Sequence, residues 1–266
     1  MDGISYGDHV LIVYGGRTWL VKVESGKKFQ THLSTIDLDR IVGLPYGSRV
    51  NFGVEYLFLK PMLEDIIMKY RRLTQIIYPK DAGYILVKLN ITPGMKVLEM
   101  GTGSGALTSY IANTLRPDGR VVSYDINEKF VKIAMENVKK ARLENWIEFR
   151  NFDGSLPEAE FDSAFIDLGD PWLYAEKIWG SLKPSAPVGF LLPTVDQLEK
   201  LDRALKETGF WIDETVEILL RRMVVAEGRT RPSGLMVGHT AYLTFARRSE
   251  RKNANIAAEA DNAHVM

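Results

Sequence analysis

The sequence contains no cysteine, so disulfides, thiolate metal sites and a cysteine nucleophile are excluded. It lacks any apolar run near the roughly 20 residues that span a membrane. Its N-terminus lacks the basic and then apolar pattern of a secretion signal. The chain has 266 residues, and 34 lysines and arginines balance 34 aspartates and glutamates. We therefore expect a cytoplasmic protein without a membrane partner, and the net charge does not indicate a nucleic-acid partner.

Several common catalytic patterns are also missing. There is no G-x-x-x-x-G-K phosphate loop. Ser104 cannot be a G-x-S-x-G nucleophile, because Thr102 and Ala106 stand where glycines belong. No metal is expected, because the four histidines are scattered without metal-ligand spacing: His9, His32, His239 and His264.

The most informative stretch runs from Lys96 to Thr108. Its first five residues are mostly apolar and of β type, which predicts a buried strand. Three glycines follow at alternate positions: Gly101, Gly103 and Gly105. They predict a sharp turn that leaves bare backbone open to a ligand. Helical spacing of apolar residues begins after the turn, so the stretch predicts the nucleotide-binding corner of an open α/β sheet.

Residues 1–60 predict a small β domain with short strands. Segments 10–14 and 18–23 flank Gly15-Gly16 and predict a hairpin. Its role stays open between an accessory or oligomerisation module and an RNA-contacting module. Residues 61–80 are predicted as a linker between the two domains. The linker contains most of a helix that is predicted over 56–73, followed by an extended segment.

The rest of the chain, residues 81–248, alternates between strand and helix patterns. Asp81 is predicted to cap a helix from Ala82 to Leu89. The alternation predicts a doubly wound, mostly parallel sheet. Its strands are expected at 96–100, 120–125, 146–151, 162–168, 188–192, 212–220 and 241–246. Its other helices are expected at 128–142, 173–182 and 195–208, and residues 249–266 as a disordered tail.

Carboxylates lie at the ends of three successive predicted strands, at Glu99, Asp125 and Asp153. Glu99 would repel the pyrophosphate of NAD, although the glycines also fit a dinucleotide fingerprint with Ala106 in third place. Asp125 lies about 20 residues past the glycines, where it can accept ribose hydroxyls. The ammonium and sulfonium of S-adenosylmethionine suit this acidic rim better. Each carboxylate alone could instead be a cap or turn residue.

A second cluster follows the fourth strand of the predicted sheet. Asp167 ends an apolar strand and needs a partner. It could accept a hydrogen bond from the exocyclic amine of a purine and so stabilise positive charge that develops on methylation at N1. Trp172 could stack on that base or be a core residue at a helix start.

Four motifs together resemble the TrmI family of tRNA (adenine-N1)-methyltransferases, archaeal type. They are Tyr78-Pro79-Lys80-Asp81, Leu98 to Gly105, Asp167 to Trp172, and Arg231-Pro232 with Met236-x-Gly238-His239-Thr240. The resemblance implies a class I S-adenosylmethionine-dependent methyltransferase with a Rossmann-like sheet and a small N-terminal β domain. It also implies methylation of tRNA position 58, in some archaeal relatives also 57, and a homotetramer.

The resemblance also assigns residues. Asp167 inherits the catalytic role, Asp125 the ribose and Asp153 the adenine of the donor, while Tyr78 faces the target base and is the second catalytic candidate. The predicted donor site comprises Gln75, Glu99, Gly101, Thr102, Gly103, Ser104, Gly105, Ala106, Leu107, Asp125, Phe130, Asp153 and Asp167. The predicted tRNA-binding site comprises Tyr78, Asp170, Trp172, Arg221, Arg222, Arg231 and His239. Further candidates for phosphate contacts are Lys69, Arg71, Arg72 and Arg229.

Other functions remain open from the sequence. A methyltransferase of a small molecule, or of another RNA, would share the donor site. A catalytically silent RNA-binding subunit is a third hypothesis, although Glu99, Asp125 and Asp167 argue against it. A dehydrogenase is the remaining alternative and would bind nicotinamide.

Overall fold

The computed structural model describes residues 3–251, which form two compact units, residues 3–71 and 72–251. The division falls inside the segment predicted as a linker. Within the described range, no helix is both long and apolar enough to cross a membrane.

The first unit is a small antiparallel β domain. Its elements are β1 (His9–Tyr14), β2 (Arg17–Lys22), β3 (Lys28–Gln30), β4 (Thr35–Asp37), a 3-10 helix (Leu38–Ile41), β5 (Arg49–Asn51), β6 (Glu55–Leu59) and α1 (Leu63–Ile67). Four strands pair in the order β2-β1-β6-β5, and β3 pairs with β4. The predicted hairpin is confirmed, because Ile12 pairs with Trp19 across the Gly15-Gly16 turn.

The helix predicted over 56–73 is wrong over most of its length. Tyr56 and Phe58 are fully buried at alternate positions of β6, as expected for a strand with one face on the core. Pro61 follows, and proline disfavours helical backbone in the residue before it. The helix is therefore confined to Leu63–Ile67.

The second unit contains the predicted α/β sheet. Its elements are α2 (Pro79–Lys88), β7 (Lys96–Met100), α3 (Ala106–Leu115), β8 (Arg120–Asp125), α4 (Glu128–Lys140), β9 (Ile147–Asn151), β10 (Ser163–Ile166), α5 (Ala175–Ser181), β11 (Pro187–Leu192), α6 (Val195–Thr208), β12 (Phe210–Glu217), β13 (Met223–Val224), β14 (Arg231–Pro232) and β15 (Tyr242–Arg248). Short 3-10 helices cover Glu144–Trp146 and Pro171–Tyr174.

The seven large strands pair in the order β12-β15-β11-β10-β7-β8-β9, and β15 runs antiparallel to both of its neighbours. The doubly wound, mostly parallel sheet is thus confirmed. The chain order reverses between β7 and β10, and ligands of open α/β sheets bind outside the carboxyl ends of strands at such a point. Fully buried side chains such as Leu98, Val122, Ile166 and Phe190 fix these strands to the helices.

Several predicted boundaries are wrong. The strand predicted over 212–220 is β12, which begins at Phe210 and ends at Glu217. Helix α2 begins at Pro79 rather than Ala82, because proline is well suited to the first helical position; Asp81 therefore lies in the first turn and is no N-cap. The predicted tail begins at residue 249, yet Ser249 donates from its backbone N–H to the Gly209 carbonyl at 3.1 Å. Arg251 lies 4.6 Å above the Trp179 ring. The rest of that tail, residues 252–266, falls outside the described residues.

Candidate active site

A cavity of about 370 Å³ opens at the carboxyl ends of β7, β8 and β10. Seven predicted site residues line it: Gln75, Tyr78, Gly101, Gly103, Asp125, Phe130 and Asp167. A smaller cavity of about 30 Å³ shares part of this lining. It adds five further predicted donor residues: Glu99, Thr102, Ser104, Ala106 and Leu107. The structure therefore gathers most of the predicted donor site at the point where the chain order reverses.

Gly101 allows two strand ends to approach each other closely. Its backbone has φ +95°, and a Cβ there would lie 2.1 Å from the carbonyl oxygen of Asp167. The Asp167 N–H in turn donates to the Met100 carbonyl at 2.8 Å. Any side chain at position 101 would push β10 away from β7, so the glycine turn also determines where Asp167 lies.

Glu99 is a buried carboxyl at the end of β7. One of its oxygens, Oε2, accepts hydrogen bonds from the hydroxyls of Thr108 at 2.6 Å and Ser123 at 2.5 Å. Burial raises the pKa of Glu99 to about 7, although these two hydrogen bonds lower it; the charges of Asp167 and Asp125 raise it further. Glu99 is therefore partly protonated near neutral pH until a cation offsets the repulsion.

Asp125 ends β8 and binds the glycine turn directly. Its carboxylate accepts the backbone N–H of Gly103 at 3.2 Å and that of Asn127 at 2.8 Å. The side chain is buried yet lines the cavity. Asp125 thus connects the turn to the strand end where a ribose is expected.

Asp167 follows β10 and is partly buried. Burial and then the negative charge of Asp125 raise its pKa to about 6. Glu99, Asp125 and Asp167 therefore repel one another around the two cavities. Such a group favours a ligand that carries positive charge.

Residues 74–78 form part of the cavity wall. Ile76 and Ile77 are buried, whereas Gln75 is exposed and lines both cavities. Tyr78 has extended backbone immediately before α2 and is partly buried at the cavity wall. Tyr78 thus has the extended conformation that the following Pro79 predicts.

Asp153 does not join the carboxylates of the cavity. It is exposed, and its Oδ1 accepts the hydroxyl of Ser155 at 2.7 Å and its backbone N–H at 2.9 Å. These hydrogen bonds lower the pKa of Asp153. The three carboxylates that meet thus come from β7, β8 and β10, and the predicted contribution from the end of β9 is not among them.

The predicted tRNA-binding residues other than Tyr78 also lie off the cavity wall. Asp170 is exposed, and the Trp172 ring packs against the core with the Lys200 ammonium 5.2 Å from its centre. These contacts favour the core interpretation of Trp172. The imidazole of His239 bonds Glu217 at 2.6 Å and the Pro193 carbonyl at 3.0 Å.

We call residues 218–240, between β12 and β15, the arm. It contains the β13–β14 pair and the exposed residues Arg221, Arg222 and Arg231. Among residues 3–251, no salt bridge involves these arginines. They are therefore available to bind phosphates.

Ten residues that line the larger cavity were not among the predicted site residues. They are Thr74, Ile76, Ile77, Asp81, Leu168, Gly169, Leu191, Pro193, Thr240 and Ala241. Asp81 and Thr240 belong to the motifs of the resemblance, which is the signal that could have found them. Asp81 was instead assigned to a helix cap, the commonest use of an aspartate before a helical pattern.

Comparison with known proteins identifies the family. The family model described as "tRNA methyltransferase complex GCD14 subunit" matches residues 54–231. TrmI of Methanocaldococcus jannaschii, named a tRNA (adenine(57)-N(1)/adenine(58)-N(1))-methyltransferase, is 32% identical over 267 residues, 90% of this chain and 94% of that protein.

Two solved structures are also similar to this chain. The crystal structure of tRNA (m1A58) methyltransferase TrmI from Aquifex aeolicus matches with a TM-score of 0.83 at 38% identity, over 94% of this chain and 100% of that one. A structure from Thermotoga maritima, titled a SAM-dependent O-methyltransferase, matches with a TM-score of 0.90 at 33% identity, over 95% and 97%. By its sequence, its sheet and its acidic cavity, this chain belongs to the GCD14/TrmI family of S-adenosylmethionine-dependent tRNA methyltransferases.

Proposed function

We propose that this protein is a tRNA (adenine(58)-N(1))-methyltransferase. It would transfer a methyl group from S-adenosylmethionine to N1 of an adenine in the T-loop. The observation that carries the proposal is the convergence of Glu99, Asp125 and Asp167 on two cavities that share part of their lining. The relatives named for this reaction support its substrate.

The residues around the cavity fit S-adenosylmethionine. When bound, this donor supplies an electrophilic methyl group on a positively charged sulfur. Three mutually repelling carboxylates suit its two positive charges, and the cavity volume lies in the usual range for small ligands. We assign Asp125 to the ribose, Glu99 to the amino end and Phe130 to the adenine. Asp153 stays a prediction for the adenine.

Asp167 is assigned to the target base. The lone pair of adenine N1 is free, so no base is needed to start the reaction. As N1 gains its methyl group, positive charge spreads to the exocyclic amine. A carboxylate that accepts a hydrogen bond from this amine stabilises that charge in the transition state and holds the ring in line with the methyl group.

Tyr78 and the arm are assigned to the tRNA. A T-loop adenine must be swung out of its stack, at a cost of a few kcal/mol. We place the extruded base beside Tyr78, which lines the cavity, rather than on Trp172, which packs in the core. Phosphate contacts from Arg221, Arg222 and Arg231 would offset part of the cost.

We also propose that the protein works as a homo-oligomer, with a tetramer as the expected form, in the cytoplasm where its tRNA substrate is found. Large apolar side chains exposed on the arm support an interface between copies. They are Leu219, Leu220, Met223, Val224, Val225, Leu235, Met236 and Val237.

The reaction is tested with an unmodified tRNA transcript and donor labelled in its methyl group. We expect 1-methyladenosine in the nucleoside digest, and replacement of adenine 58 by another base should remove it. Signal that persists in that transcript and disappears when adenine 57 is also replaced would show that the adjacent position is modified as well. Absence of any methylated adenine would reject the proposal.

The second candidate is a methyltransferase of a small molecule. The structure from Thermotoga maritima, titled an O-methyltransferase, favours it. This candidate predicts that charge reversal at Arg221 and Arg222 leaves turnover unchanged. Labelled product formed without RNA would favour it over a tRNA methyltransferase.

A further inference from the structure

Lys80 belongs to a buried ring of polar groups beside the cavity. Its ammonium donates to Asp81 Oδ1 at 2.7 Å, to the Ile218 carbonyl at 2.8 Å and to the Thr240 hydroxyl at 2.8 Å. The Thr240 hydroxyl donates to the other Asp81 oxygen at 3.3 Å. All three donors of the ammonium are therefore used, and only 10% of the Lys80 side chain is exposed.

The ring joins three separate parts of the chain. Lys80 lies in the first turn of α2, two residues after Tyr78. Ile218 is the first residue of the arm and Thr240 its last, so one ammonium bonds both ends of the arm. Glu217 and His239 meet beside it at 2.6 Å. Two sets of contacts therefore hold the two ends of the arm together. One is the contact between Glu217 and His239, and the other runs through Lys80 of α2, the helix that begins after Tyr78.

The same helix has a second attachment to β12 farther from the cavity. Tyr84 donates to Glu214 at 2.6 Å, and the Lys88 ammonium lies 2.8 Å from the same carboxylate. This attachment already holds α2 against β12. A buried ion pair is often no more stabilising than apolar residues of the same size. Lys80 and Asp81 therefore have a use beyond stability, and Asp81 and Thr240 both line the cavity.

We propose that Lys80 is a positioning residue that fixes the base of the arm to the segment carrying Tyr78. RNA bound by the arm would then be held in one position relative to the cavity, which we call its register, and its target base would enter the cavity. The fixing of the arm follows from the contacts alone, whereas the register of the RNA rests on the proposed function. The two parts are tested separately.

Trypsin digestion tests the fixing of the arm, because the arm carries cleavable bonds after Arg221, Arg222 and Arg229. We expect Lys80→Met to be cut in the arm roughly tenfold faster, since local opening becomes easier. Lys88→Met is the matched control, because it removes a lysine of the same helix that pairs with Glu214 of β12 instead of with the arm. Equal arm cleavage in the two variants would overturn the proposal.

Lys80→Met leaves the Asp81 carboxylate buried without its cation, so a second variant is needed in case the first does not fold. Lys80→Met/Asp81→Asn removes both charges and should show the same rapid cleavage. Thr240→Val removes one acceptor at constant shape, and Thr240→Ser should restore the slow wild-type cleavage. Rapid cleavage of Thr240→Ser as well would contradict the role of the hydroxyl.

Kinetics test the register of the RNA. In Lys80→Met we expect a KM for tRNA raised about tenfold and a lower kcat, with the donor Kd from calorimetry within about twofold. A merely structural role would lower the melting temperature and leave the KM for tRNA unchanged, which would overturn this part. If wild-type protein fails to methylate tRNA, the proposed function falls, while the trypsin result still decides whether Lys80 fixes the arm.

Discussion

Asp167 carries a charge where burial and the neighbouring Asp125 both oppose it. An ionised carboxylate in such surroundings lowers the stability of the folded protein. Carboxylates of this kind are found mainly at functional sites, where their charge acts on a ligand. Asp167→Asn keeps the shape and removes the charge. We expect turnover to be abolished while the donor Kd, measured by calorimetry, changes less than about tenfold, or about 1.4 kcal/mol.

Stability distinguishes this outcome from simple misfolding. Because the raised pKa means that ionisation of Asp167 is unfavourable in the folded state, the ligand-free Asp167→Asn protein should melt at the same temperature or higher at pH 8. Normal turnover in a folded variant would remove Asp167 from the chemistry.

Glu99 makes stability and donor binding depend on pH. Its pKa of about 7 in the folded protein lies above the ordinary value of 4.5. Because the folded protein favours protonated Glu99, this group contributes stability that is complete below its pKa in the unfolded state. The contribution is lost as the pH rises through its pKa in the folded state. The ligand-free protein should therefore lose about 3 kcal/mol of unfolding free energy from this group between pH 4.5 and 7.

The cationic donor should reverse that loss. It favours ionised Glu99, so its binding should release protons near pH 6 and tighten as the pH rises to 8. Calorimetry in two buffers of different ionisation enthalpy measures the protons released. Donor binding to Glu99→Gln should release fewer protons, mainly from Asp167. Equal proton release by the wild type and this variant would exclude Glu99 as the source.

At the scale of elements, the glycine turn after β7 limits how far apart β7 and β10 can lie. Gly101→Ala would place a Cβ 2.1 Å from the Asp167 carbonyl at a φ of +95°. We expect thermal unfolding at a clearly lower temperature and loss of donor binding by calorimetry. Gly83→Ala in α2 is the control, because a Cβ there meets nothing within 4 Å and alanine stabilises a helix interior by roughly 0.5–1 kcal/mol. Normal donor affinity in Gly101→Ala would mean that β10 can shift freely.

Elements whose local pattern agrees with their burial were predictable from sequence. The apolar run before Gly101 predicts β7, and the helical spacing after the glycines predicts α3. The alternation of strand and helix patterns that follows predicts a sheet covered by helices. The helix over 56–73 was predicted from apolar residues at helical spacing between Leu59 and Tyr70. The prediction wrongly extended that spacing back over Tyr56 and Phe58, whose alternation is that of a strand with one buried face. Asp153 failed to join the cavity because Ser155, two residues on, uses its carboxylate within the local turn.

The arm could not be predicted as an element, because its only regular structure is a pair of two-residue strands. Its charges nonetheless give a prediction. Arg221→Glu/Arg222→Glu should raise the KM for tRNA and reduce the salt dependence of tRNA binding by about two units of slope, with donor affinity unchanged. Arg203→Glu, an exposed arginine on α6, should leave both properties as in the wild type. An unchanged salt slope in the double variant would place the RNA elsewhere.

For the whole molecule, the sum of charges hides their distribution. The chain is neutral overall, while the cavity collects carboxylates and the arm carries exposed arginines. A cationic donor and an anionic RNA can thus bind one protein, because each meets charge of the opposite sign locally. Exposed charges farther apart than about 10 Å are largely screened by salt.

The same arm exposes apolar side chains that a monomer would leave in water, which is the basis for our last prediction. Val225 is 81% and Leu235 89% exposed, and burial against a second copy would stabilise the assembly by roughly 25 cal/mol for each Å² of apolar surface covered. Val225→Ser/Leu235→Ser should therefore lower the molar mass measured by light scattering. Val87→Ser replaces a valine of α2 that is 75% exposed, and it should leave the mass unchanged. A monomeric wild type would refute the proposed homo-oligomer, and an intact oligomer in the double variant would move its interface away from the arm.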